Sequence, residues 1–278
     1  MPLLAHQHGK ARVRVARIQR DGERNSISEL SVQTMLHGEF ARSFTDGDNT
    51  GVVATDTIKN LTNIVARENL GAGPEAFARA LAARLLDQYP QIDQVSVTCH
   101  ETRWTRARVD GAEHSHAFLL DANGTPSAEL VATREGARLS SGITGYTFMK
   151  TTQSGWVGFD RDAYTTLPET TDRIAATAMD ASWLWAADPA DFTAANARIV
   201  DTMLAVFATT YSRGIQDSLF RMAEAALAAV PEVETITMAC PNKHYIPVNL
   251  APFGLSADNM VFTPTDEPCG RIECTVGR

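Results

Sequence analysis

Pro90-Gln-Ile-Asp-Gln-Val-Ser-Val-Thr-Cys99 and Pro231-Glu-Val-Glu-Thr-Ile-Thr-Met-Ala-Cys240 align without a gap, shifted by 141 residues (231 less 90). The proline, the acid in fourth place, the apolar positions and the closing cysteine all coincide. Alternating apolar residues make each segment a strand with one buried face. Each strand follows an amphipathic helix: Phe77, Leu81 and Leu85 form the stripe before the first, and Ile215, Leu219, Met222, Ala223, Ala226, Leu227 and Val230 the stripe before the second. The chain therefore reads as two copies of one unit, in which two helices cover one face of an antiparallel sheet.

The elements around these segments agree with a duplication. In the first half, Lys10 to Gln19 alternates Val13, Val15 and Ile18 against Arg12, Arg14 and Arg17, and Asn25 to Leu36 is a second strand. A turn-rich stretch, Gly47 to Asn60, runs into a helix, and Gly71, Gly73 and Pro74 punctuate the chain before the next. After the Ile92 strand, Arg103 to Leu120 stays extended. Ala122 to Pro126 is read as the break between units 1–124 and 125–278. In the second half, Ala128 to Ala137, Gly142 to Lys150 and Arg173 to Trp185 are extended, Asp191 to Thr209 and Gly214 to Val230 are helices, and Pro231 to Cys240 and His244 to Leu250 are two strands. The fold class is α+β.

Composition limits what such a fold can do. With 278 residues, 44% hydrophobic and 21% charged, the chain reads as a soluble globular protein with a full core. A net charge of -8 argues against nucleic acid as a partner, so an anionic ligand must be held by a few local cations. No apolar run is long enough for a membrane span, the N-terminal residues lack the order of a signal peptide, and the last residues match neither a peroxisomal tripeptide nor a lipidation box. Cys99, Cys240, Cys269 and Cys274 form no Cys-x-x-Cys pair and read as reduced thiols, which with the rest implies a cytoplasmic protein.

Three stretches stand out chemically. Thr55 and Asp56 sit where the Gly47 to Asn60 stretch becomes helical, as side-chain caps or as the rim of a ligand site, since a helix start offers free N–H groups and partial positive charge. Asn242 and His244 stand where the first copy has Glu101 and Arg103, two residues apart on one side of a strand. His114 and His116 share one side of a strand and suit a metal, but no third ligand has a clear claim.

Combined in collinear order, these motifs resemble the urate oxidase (uricase) family over nearly the whole chain, in a form similar to bacterial members. The resemblance rests on His8-Gly-Lys10-Ala-Arg-Val-Arg14, Gly47-Asp-Asn49, Val52-Val-Ala-Thr-Asp-Thr-Ile-Lys-Asn60, Asp162-Ala-Tyr-Thr-Thr-Leu167, Glu169-Thr-Thr-Asp-Arg173, Ile215-Gln216, Pro241-Asn-Lys-His-Tyr245 and Cys274-Thr-Val-Gly277. It implies two tandem T-fold (tunnelling fold) units, four subunits assembled into a barrel, and active sites at subunit interfaces. The implied reaction oxidises urate with dioxygen to 5-hydroxyisourate and hydrogen peroxide, with neither metal nor organic cofactor. Lys10, Thr55 and His244 match the family's catalytic relay, and Thr55 is also a substrate contact. Arg173 and Gln216 match the residues that hold opposite edges of urate, the backbone N–H groups of Asp56 and Ile215 match further contacts, and Asn242 matches the residue that holds dioxygen or water above the ring. Trp156 aligns with the family's stacking phenylalanine, a departure that bears on rate and affinity. The alternative is a non-catalytic or metal-dependent T-fold relative that binds a purine or pterin.

Overall fold

In a computed structural model, which describes residues 1–256 and 259–278, the chain forms two compact units, Met1–Gly142 and Ile143–Arg278. The first contains β1 (His8–Asp21), β2 (Arg24–Gly38), a single turn α1 (Arg42–Thr45), α2 (Thr55–Asn69), α3 (Gly73–Gln88), β3 (Ile92–Val109), β4 (Ala112–Asp121) and β5 (Thr125–Ala132). Its strands are antiparallel in the order β1-β2-β3-β5, with β4 folded back on the far end of β3. Because β5 pairs with β3, the chain stays in this unit past the turn at Asn123 and Gly124, and the units divide within the next strand, β6 (Ala137–Lys150).

The second unit holds β7 (Ala175–Trp185), α4 (Phe192–Thr209), α5 (Ile215–Ala229), β8 (Val233–Pro247), β9 (Phe262–Thr265) and β10 (Arg271–Gly277). β8 pairs with β7 on one side and β10 on the other, and β9 continues along its far end. β8 is one strand where two were expected. Pro241 has no N–H to give, but its carbonyl accepts from the Thr177 hydroxyl at 2.8 Å and the next amide, of Asn242, donates to Gly270 at 2.7 Å, so the ladder runs through the proline.

The duplication holds in detail. Ile92, Val95, Val97 and Cys99 are fully buried, as are their counterparts Val233, Ile236, Met238 and Cys240. In each unit an arginine grips the carbonyls where a helix ends and the strand begins. Arg134 donates to Ile92, Leu86 and Tyr89 at 2.7, 2.8 and 3.2 Å, and Arg278 donates to Val233 at 3.0 Å, Val230 at 3.3 Å and Leu227. Leu86 and Leu227 lie in the last turns of α3 and α5, where positive charge is favoured, and the other carbonyls belong to the link into the strand. The preceding strand shifts register at equivalent places, at Gly38 opposite Ile92 and at Trp185 opposite Val233.

One irregularity interrupts β1. Lys10 pairs with Thr34 and Val13 with Val32, so β1 has one residue more than β2 over this span, and Arg12 takes up a φ of 57°. The bulge reverses the alternation. It puts Lys10 on the face of Val13, Val32 and Thr34, where α2 packs, while Ile18 falls on the opposite face and is exposed. Gly9 is obligatory beside it, since a Cβ there would lie 1.9 Å from the Thr34 carbonyl oxygen.

Candidate active site

In the first unit, short-range bonds hold the loop before α2. The Thr50 side chain first, and then its amide, which donates to Asp48 at 3.0 Å, keep the Asp48 carboxyl below the usual range, and Asp48 pairs with Arg42 at 3.1 Å. Gln91 donates to the Gly51 carbonyl at 2.9 Å, and the Val53 carbonyl accepts from His8 Nε2 at 2.8 Å. His8 thus ties the strand carrying Lys10 to the loop carrying Thr55.

At the helix start, the expected side-chain cap is absent. The cap position is Ala54, one residue earlier, and it makes no side-chain bond. The Asp56 carboxylate turns away to Lys59 and to Asn60 at 3.0 Å, and is held below its usual range first by Lys59, with Lys10 adding to the effect. The first helical bond is from Ile58 to Ala54 at 3.2 Å, so the N–H groups of Thr55, Asp56 and Thr57 lie ahead of the ladder, at the positive end of the helix. Lys10, Thr55 and Asp56 therefore come together as a cation, a hydroxyl and a row of amides.

In the second unit, three segments are clipped together. Gly155 donates to Ser212 at 2.9 Å and Ser212 to Gln153 at 3.0 Å, Arg173 donates its amide to Ser154 at 2.8 Å, and Trp156 and Thr170 exchange bonds of 2.7 and 3.0 Å. The buried Ser218 hydroxyl donates to Ser212 Oγ at 2.7 Å, fixing the loop before α5 to the helix's own first turn. Between these segments lies a pocket of about 290 Å³, including open solvent, whose walls include Arg173, Thr177, Ser154, Ser212, Ile215 and Asn242.

Arg173 is the charged group of this pocket. Burial pulls its guanidinium below the usual range, and its Nε is buried with no partner. An unpaired buried donor costs about 1–3 kcal/mol, which an acceptor on a ligand would offset. The Trp156 ring centre lies 5.9 Å from Arg173 Cζ and stacks on Phe159 at 5.7 Å with planes 12° apart. Gln216 is the second residue of α5 and exposed, and the first helical bond, from Ser218 to Gly214 at 3.2 Å, leaves the Ile215 and Gln216 amides ahead of it. Asn242 and His244 lie on one side of β8, Asn242 opposite Thr177 and His244 opposite Thr265, while Lys243 between them pairs with Asp266 at 2.7 Å.

The first turn of α5 carries an ion cluster that the sequence reading passed over. Asp217 accepts from Arg213 at 2.5 Å and from Arg221, and these bonds, Arg213's first, hold its carboxyl down to about 2 against the opposing effect of burial. A carboxyl lowered on folding stabilises the fold above its ordinary value, and that contribution is lost as pH falls through the folded value. The Tm difference between wild type and Asp217→Asn is therefore expected to be constant above about pH 5 and to close towards about pH 2. A difference still open at that pH would contradict the assignment.

The uricase family model matches residues 6–131 and 139–273. This chain belongs to the uricase family. It is 36% identical over 296 residues to uricase from Aspergillus flavus, spanning 99% of this chain and 96% of that protein. It is 37% identical over 273 residues to uricase from Arthrobacter globiformis, spanning 98% of this chain and 89% of that one. The crystal structure of the Arthrobacter globiformis uricase superposes with a TM-score of 0.94 at 36% identity, covering 100% of this chain and 96% of that chain. The α+β tandem T-fold expected from the sequence stands, each unit an antiparallel sheet with two helices.

Within this uricase-family fold, Trp156, Arg173, Ile215, Gln216, Asn242 and His244 lie in the second unit, and Lys10, Thr55 and Asp56 in the first. The sequence shows His8 only as part of a motif and gives no sign of Ser212 or Ser218, because His8 acts through the distant Val53 carbonyl and the serines through their bond to each other. His114 and His116 have ring centres 4.5 Å apart, but among the described residues no three His, Cys, Asp or Glu side chains form a group able to hold a metal. Among the described residues, no helix is long and apolar enough to cross a membrane.

Proposed function

We propose that this protein oxidises urate: urate, dioxygen and water give 5-hydroxyisourate and hydrogen peroxide, as a step of purine degradation. The observation that carries this reading is the buried, unpartnered Nε of Arg173, set in a pocket with Asn242 and the free amide of Ile215. A guanidinium fork suits two acceptors on one edge of an anionic heterocycle, and the Gln216 amide, which both donates and accepts, suits the opposite edge. Trp156 supplies a flat stacking surface.

Oxidation removes two electrons and a proton from the urate anion; dioxygen takes the electrons and, with that proton and one from solvent, leaves as hydrogen peroxide, while water adds to the oxidised ring to give 5-hydroxyisourate. Thr55 passes the proton, with Lys10 and His244 as the ends of a relay that needs no fixed charge on the hydroxyl. Asn242 holds dioxygen, and then water, above the ring. Thr55, Lys10 and the Asp56 amide come from one copy of the chain, and Arg173, Gln216, Asn242 and His244 from a neighbour, within a homotetramer whose sheets form a barrel in the cytoplasm. The reaction uses no metal and no organic cofactor.

Purified protein treated with a chelator tests this reading. The expected result is loss of urate absorbance in air with one peroxide released per urate consumed. Absence of turnover overturns the activity, and turnover that the chelator abolishes overturns the cofactor-free mechanism.

A further inference from the structure

Gly214 immediately precedes α5 and is buried, with an extended backbone (φ 176°) that any residue can adopt. Its lack of a side chain therefore answers to space and not to conformation. A Cβ at this position would lie 2.8 Å from Trp156 Cζ3, 3.1 Å from Cε3 and 3.2 Å from Gln216 Oε1. The benzenoid edge of the indole thus occupies the volume that a side chain at 214 would need. We propose that Gly214 is a specificity-determining residue: by leaving that volume to the Trp156 indole, it sets where the stacking surface lies and how the Gln216 amide is presented to the substrate.

Trp156 can yield only by a tilt of its ring. Its backbone is bonded on both sides to Thr170, at 2.7 and 3.0 Å, one ring face is stacked on Phe159, and the Arg173 guanidinium lies 5.9 Å from the ring centre. A contact under about 3 Å in a packed site is relieved by displacing one of the two groups. Here either displacement reaches the ligand, because Trp156 would tilt towards the pocket or the start of α5, with Ile215 and Gln216, would retreat. The Ser212–Ser218 bond and the Asp217 cluster hold that helix start in place, so the ring is the part that gives way. A phenylalanine at 156 lacks the second ring and leaves the volume empty. Residues 156 and 214 are consequently coupled, and a large aromatic at 156 requires a glycine at 214.

This inference rests on the urate reading and is tested by a double-mutant cycle of Gly214→Ala and Trp156→Phe. The readouts are kcat and KM for urate in air, the Kd for urate under anaerobic conditions, and Tm for folding. Gly214→Ala alone is expected to raise KM and anaerobic Kd together by about tenfold with a smaller change in kcat. In the Trp156→Phe background the same substitution is expected to change them less than about twofold, a non-additivity that distant, independent sites do not show. If Gly214→Ala does not fold, recovery of Tm and urate binding in the double variant supports the coupling, and failure of the double variant to fold overturns it. Fold-changes that multiply, or a single variant that behaves as wild type, also overturn it. A wild-type protein that does not turn over urate defeats the functional reading, whereas active wild type with multiplying effects defeats this inference alone.

Discussion

Arg173→Ala is expected to lower kcat/KM for urate by about 100-fold, chiefly through KM. The side chain is half-buried, its Nε has no partner, and burial already makes its charged form costly. An anionic ligand relieves that cost and accepts a charge-assisted, two-point hydrogen bond. Arg173→Lys keeps the charge without the planar fork, and is expected to fall between alanine and wild type. Initial rates, together with anaerobic urate binding, check the result. A kcat effect with unchanged affinity would move Arg173 out of the binding role.

Thr55→Ala and Lys10→Met are expected to do the opposite, lowering kcat by about 100-fold or more while KM changes by less than about threefold. In the proposed site the first unit binds urate through backbone amides at the start of α2, which both variants keep, so the step they are expected to lose is the proposed proton relay. The β1 bulge turns Lys10 onto the face where α2 packs, and Asp56 feels its charge. The Asp56 carboxylate is occupied by Lys59 and Asn60, so it does not replace the lost hydroxyl. Equal losses of affinity and turnover in the two variants would count against a relay.

The fold is legible because a ten-residue pattern recurs: the same alternation, opened by a proline and ended by a cysteine, marks two strands that are buried alike. The alternation of Ile272, Cys274 and Val276 marks a further strand, β10, which the sequence shows only weakly because it follows an irregular stretch. The two strands expected on either side of Pro241 are one, because Thr177 and Gly270 carry the ladder through a residue that has no donor. The identities of the site residues could be read only through their likeness to a family, since an exposed threonine at a helix start looks like a cap. Their geometry was hidden for a physical reason. A bulge is invisible to a pattern that assumes unbroken alternation, and a glycine kept small for a neighbouring indole carries no signature of its own.

The division of the site between two copies of the chain is tested most directly by mixing Thr55→Ala subunits with Arg173→Ala subunits, refolding them together and measuring urate turnover. Each variant alone leaves every site damaged. In a mixed pair, one site joins the intact first unit of one copy to the intact second unit of the other, so random pairing is expected to restore about a quarter of the wild-type activity. Mixed oligomers no more active than the separate variants would contradict a site shared between copies.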